Sequence, residues 1–164
     1  MAVDMFINMG AIKGESRDKT QGAAGDIDVL GWSWSMEQSG TTHMGGGGGS
    51  GKATFKDLSF TKYIDSSTNA LMNALAKGTH LDRVVLMVRK AGDGQKKYIL
   101  ITMEEVLITS ISTGGSGGED RLTENIKLNF GKVTFAYTPQ DNKGTLAGDK
   151  TFTYDIAGND GNVS

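Results

Sequence analysis

The chain contains no cysteine, which excludes disulfide bonds, thiolate nucleophiles and cysteine-ligated zinc. Histidine occurs twice, as His43 and His80. Two imidazoles are too few for a histidine-rich metal site, and no spaced carboxylate cluster completes a ligand set. An excess of charge of one sign is also missing: 17 basic residues face 19 acidic ones, a net charge of −2. There is thus no global field to draw nucleic acid or an anionic membrane. No apolar run is long enough to cross a bilayer. The opening residues, Met1-Ala2-Val3-Asp4-Met5, carry no basic segment followed by an apolar stretch, so no cleaved secretory signal is readable. A protein of this kind that leaves the cell needs another route.

Glycine, by contrast, is abundant, with 24 of 164 residues, beside a single proline. The length suits one domain over 1–164 with no second domain, and the glycines predict many tight connections. The apolar residues recur mostly with period two, the signature of strands. Val3, Met5 and Ile7 alternate. Leu30, Trp32, Trp34 and Met36 share one face of a strand, and Gly31, Ser33 and Ser35 the other. Arg83 to Lys90 and Lys97 to Ile111 read as a hairpin around Ala91-Gly92-Asp93-Gly94. Ile126, Leu128 and Phe130 alternate, then the parity flips to Val133, Phe135 and Tyr137. The flip at Gly131 predicts a β-bulge. Phe152, Tyr154 and Ile156 make a last strand. One segment has helical spacing, Ile64, Leu71 and Leu75, with Asp65 or Ser66 to cap it and Lys77-Gly78 to end it. About seven or more strands with one helix predict a sandwich or barrel.

Several matches to chemical motifs lack their context. Gly46 to Lys52 fits the start of a phosphate-binding loop, but Ala53 stands where a magnesium-ligating hydroxyl belongs, and strand signals follow where a helix should begin. Gly114-Gly115-Ser116-Gly117-Gly118 fits a nucleophile elbow, but both histidines precede Ser116, against the order of that hydrolase fold. Glu104 and Glu105 face opposite sides of a strand and cannot act on one atom. Glu119 and Asp120 beside Arg121 read as a solvated or subunit-contacting charge cluster. Trp32 and Trp34 read as core, with a stacking platform for sugar or bases as the alternative. The residues alone therefore give a soluble, mostly β domain that binds or builds rather than catalyses, with no catalytic, cofactor-binding or metal-ligating set.

The wording of several segments is nevertheless specific. Met1-Ala2-Val3-Asp4-Met5-Phe6-Ile7 is followed by Lys13-Gly14-Glu15-Ser16, Ile27-Asp28-Val29-Leu30, Trp32-Ser33-Trp34 and Gln38-Ser39-Gly40. His43-Met44 precedes the glycine run. Next come Asp57-Leu58-Ser59-Phe60-Thr61-Lys62-Tyr63-Ile64-Asp65 and Arg89-Lys90-Ala91-Gly92. Ser112 to Asn125, with Leu128-Asn129-Phe130 after it, completes the set. In this order they closely resemble Hcp, the haemolysin co-regulated protein of bacterial type VI secretion systems, from Met1 to about Pro139. Gln140 to Ser164 matches less clearly.

The resemblance implies a β-barrel of two packed antiparallel sheets with one flanking helix, assembled as a hexameric ring around a wide channel. It implies that rings stack into a tube inside a contractile sheath, that a VgrG-type spike tips the tube, and that small effector proteins ride in the channel. Assembly would take place in the bacterial cytoplasm, followed by secretion without a cleaved signal. A chain that stops at Ser164 is expected to carry no fused effector domain. If Trp32 and Trp34 face the core, Ser33 and Ser35 face away, which makes them candidates for the channel wall and effector contact. The glycine loop Gly45, Gly46, Gly47, Gly48 and Gly49 is the candidate for contact between rings. The alternatives are a monomeric barrel that binds carbohydrate through the tryptophans and a hydrolase using Ser116.

Overall fold

A computed structural model describes residues 2–40, 43, 51–92, 96–139 and 148–164. The described chain forms β1 (Val3–Asn8), β2 (Ile27–Asp28), β3 (Gly31–Ser33), β4 (Met36–Glu37), β5 (Thr54–Phe55) and β6 (Leu58–Tyr63). Helix α1 (Thr68–Lys77) follows, then β7 (His80–Lys90), β8 (Lys97–Thr113), β9 (Thr123–Tyr137), β10 (Lys150–Asp155) and β11 (Asp160–Val163). All named pairings are antiparallel, and they gather into a nine-stranded sheet and a two-stranded one, β4–β5. The expected β-rich architecture with one helix is the observed one.

The large sheet closes on itself. β6, β9, β8, β7 and β1 are successive neighbours. The short segment 27–33 then bridges the remaining gap. Ile27 and Asp28 pair with β1, the amide of Val29 donates to Met5 at 2.9 Å, and that of Leu30 donates to Thr61 at 2.8 Å. Gly31 to Ser33 pair with β6. One extended segment thus satisfies the backbone of both sheet edges, which is what barrel closure requires.

Side chains of alternating parity fill the interior. Leu58 and Phe60 of β6, Leu86 of β7, Ile101 and Met103 of β8, and Ile126 and Leu128 of β9 are fully buried. Leu71 and Ala74 of α1 join them from outside the sheet. The helix ends as its sequence predicts: Gly78 adopts φ +65°, and its amide and that of Thr79 turn back to Leu75 and Ala74, the left-handed cap that glycine favours. Its start is later than expected. Ser67 is the first flanking residue, and Ile64 lies outside the helix.

The expected bulge at Gly131 takes a different form. The pairing of β8 with β9 keeps one register across that point, Glu104 with Lys132 and Val106 with Phe130, and slips instead between Ile108 and Ser110. Buried positions nevertheless change parity in three strands together. In β9 they pass from Phe130 to Val133, in β8 from Met103 to Val106, and in β7 from Leu81, packed against the core, to Val84. The intervening residue of β8, Glu105, has φ +55°, and a Cβ on Gly131 would lie 2.5 Å from its carboxylate. Because opposing strands invert together, no register is lost. At this point β9 also changes partner: Thr123 to Leu128 pair with β6, and Lys132 to Tyr137 with β10.

The paired strand 30–36 is shorter than its alternation suggests. Trp32 and Trp34 pack against the core, but Leu30 and Met36 of the same parity are 41% and 44% exposed. The chain leaves β6 after Ser33 and enters β4–β5.

Candidate functional site

The serine expected to face away from the core does so. Ser33 is exposed on β3, opposite Ser59 of β6. Ser59 in turn lies opposite Lys127 of β9, and Lys127 opposite Ser110 of β8. The next row is Gly31, Thr61, Asn125 and Ser112. Pairing therefore carries two rows across four strands, made of short hydrophilic side chains apart from Gly31, which has none, and Lys127, the one long member. Thr61 donates to Asn125 at 2.8 Å. Beside the rows, Asp57 accepts from Thr109 at 2.6 Å and from Asn129 at 3.0 Å. An open depression on this face is lined by Ser33, Phe55, Lys56, Asp57, Ser59 and Lys127. Lys56 pairs with Glu37 at 2.8 Å, and the carboxylate's hydrogen bond and charge raise its ammonium above the usual lysine value.

Ser35 is exposed too, but it belongs to the turn between β3 and β4, its carbonyl taken by the amide of Lys56 at 3.0 Å, and it does not line that depression. The loop Gly45 to Gly49 lies outside the described residues. Sequence reading missed Ser59, Thr61, Asn125 and Lys127, because alternation assigns them a face but not the neighbour that pairing gives them.

Two charge networks are buried elsewhere in the barrel. Lys62 of β6 and Glu124 of β9 are opposite in register and both wholly inside, 2.5 Å apart. Asp65 contacts Lys62 at 2.9 Å, and Thr68 donates to Glu124 at 2.7 Å. This network pins the start of α1 to the barrel. On the outer side of β1 and β7, Arg89 is buried against the Phe6 ring, 4.8 Å from its centroid, and pairs with Asp18 and, at 3.5 Å, Asp4. The amide of Gln21 and then the Arg89 guanidinium hold the Asp18 carboxyl below the usual carboxylate range.

Neither alternative chemistry finds a setting. Trp34 donates its indole N–H to the carbonyl of Lys56 at 3.0 Å and rests 6.0 Å from the Phe130 ring. It is thus a packing residue, and the carbohydrate-binding reading is unsupported. Ser116 is followed by strand β9, not by the helix that an elbow serine needs. No described group of three or more His, Cys, Asp or Glu could hold a metal ion.

Comparison with known proteins assigns the fold. Residues 6–137 match the family model described as type VI secretion system effector, Hcp. The chain is 59% identical to Protein hcp1 of Pseudomonas aeruginosa over 149 residues, 90% of this chain and 91% of that one. The chain belongs to the Hcp family. Among solved structures, a type six secretion system protein superposes with a TM-score of 0.90 at 27% identity, over 98% of this chain and all of that one. Hcp1 from Salmonella typhimurium gives 0.80 at 31% identity, over 99% of this chain and all of its own. The protein is accordingly a tube protein of the type VI secretion system, from a family of secreted structural components that oligomerise. Assembly of Hcp barrels as a hexameric ring is consistent with this membership.

Proposed function

We propose that six copies close into a ring whose channel wall is the β3–β6–β9–β8 face, and that stacked rings form a conduit holding small effector proteins. The observation that carries this reading is the double row Ser33–Ser59–Lys127–Ser110 and Gly31–Thr61–Asn125–Ser112. A rigid sheet faced mainly with short hydrogen-bonding side chains offers a passing protein many weak polar contacts and little apolar surface on which to stick. Ser33 contacts effectors directly, and Ser35 lies at the border of this wall. Gly45 to Gly49 touches the next ring. A VgrG-type spike caps the stack and a contractile sheath surrounds it. The protein is made in the bacterial cytoplasm and is expelled from it as part of the tube. It works by shape, without catalysis.

Electron microscopy of the purified chain tests this directly. Annular particles of six times 17.4 kDa are expected, and a strict monomer at high concentration refutes the reading. Ser33→Glu should leave rings intact and lower the amount of co-purified effector. Unchanged retention would remove Ser33 from the channel wall.

A further inference from the structure

The two-stranded unit β4–β5 stands apart from the barrel sheet. Among the described residues its ladder pairs Met36 with Phe55 and Glu37 with Thr54, and both residues of β4 are exposed. Two residue pairs do not hold such an arm in one direction by themselves. The exposed Lys56–Glu37 ion pair adds little. The Lys56 backbone anchors the root of the arm to Ser35 and to the Trp34 indole, and Phe55 ties the arm to the neighbouring hairpin. Its ring lies between Trp34, 6.4 Å away and near-parallel at 24°, and Tyr154 of β10, 4.8 Å away. Trp34 continues inward to Phe130, which is in the core. Tyr154 continues outward to Phe152 at 6.1 Å.

Tyr154 is itself fixed by the far hairpin. Its hydroxyl donates to Asn159 at 2.7 Å in the β10–β11 turn. Its ring covers Gly161 of β11, where a Cβ would come within 2.4 Å of the ring carbon Cδ2. The last hairpin of the chain is therefore wedged against the root of the arm that carries the loop between β4 and β5. Offset ring contacts of this kind contribute direction as well as attraction.

We infer that Tyr154 and Phe55 are positioning residues: the β10–β11 hairpin sets the direction in which the β4–β5 arm leaves the barrel, and so governs docking of the arm onto a second copy in the next ring. This rests on the reading that the arm carries the contact between rings.

The absence of cysteine makes a direct test simple. Cysteines introduced at Ser39 and Asp82 carry spin labels, and the distance distribution between arm and barrel wall is measured in rings of the native sequence, Tyr154→Ala, Tyr154→Leu and Tyr154→Phe. Secretion of each unlabelled variant is measured in bacteria that have a working type VI apparatus and lack their own tube protein. Tyr154→Ala should shift or broaden the distribution and lower secreted protein at least tenfold, with rings still intact. Tyr154→Phe, which keeps the ring, should restore both. Tyr154→Leu keeps apolar bulk, guards against simple unfolding and should behave as Tyr154→Ala does. An unchanged distance distribution overturns the inference, and so does a displaced arm with undiminished secretion. Failure of the native chain to form rings would instead refute the tube reading.

Discussion

Lys62 is the residue whose placement composition hides best. Parity puts Lys62 on the inner face with Leu58 and Phe60, where composition gives no reason to expect a charge, and its side chain is 0% exposed and meets Glu124 and Asp65. One oxygen of Glu124 has no hydrogen-bond partner, so Glu124 depends on Lys62 and Thr68 through its other oxygen. Removing Lys62 leaves Glu124 buried with only the Thr68 hydroxyl, whereas removing Glu124 leaves Lys62 still paired with Asp65. Lys62→Met should therefore destabilise the chain by about 3–5 kcal/mol and Glu124→Leu by less, while the double variant recovers most of the loss seen in Lys62→Met. Denaturant unfolding at fixed protein concentration measures it. Additive losses in the double variant would show that the two charges do not depend on each other.

Asp18 makes a different residue-scale prediction, in pH. Its folded carboxyl is depressed by the Gln21 amide and by Arg89. The stability it contributes is whole above the unfolded value of about 3.9 and fades as pH falls through the lower folded value. Asp18→Asn should therefore flatten the loss of stability below about pH 4 and lower stability at neutral pH. Parallel melts of the two proteins across that range check the sign.

Among the elements, the hairpin β7–β8, the strand β9 and the helix end at Gly78 were all legible, because alternation and turn chemistry are local signals. Legibility failed where neighbours decide. β6 hid behind the buried Lys62. Leu30 and Met36 kept the right parity for burial but lost it when the chain left the barrel wall. β11 carries no buried side chain at all and has no apolar pattern to read. Of the candidate site, Ser33 was legible from the tryptophans beside it, whereas Ser59 and Lys127 became its neighbours only through pairing. The parity flip at Gly131 was visible in β9, but its mirror in β8 was not, since Glu105 holds a left-handed backbone that no spacing rule foretells. That conformation costs a non-glycine residue about 1–2 kcal/mol. Glu105→Gly relieves it at a similar entropic cost and should unfold at nearly the native denaturant concentration. Glu105→Val should be less stable by about 1–2 kcal/mol. Equal stabilities of the two variants would place the strain elsewhere.

For the molecule as a whole, closure by the segment 27–33 leaves the barrel free to use its outer surface for neighbours. The ring and the stack need two different head-to-tail contacts, since identical copies must meet side by side and end to end. Deleting two residues from Gly45 to Gly49 is therefore expected to leave single rings unchanged by gel filtration while reducing tube length in electron micrographs. Tubes of native length would show that the stacking contact lies elsewhere. The simultaneous inversion at Glu105 and Gly131 also matters to anyone who decorates this protein. Counting every second residue along β9 from Ile126 reaches the inside at first and the outside past Gly131, so a label planned for the exterior must be counted from its own end of the strand.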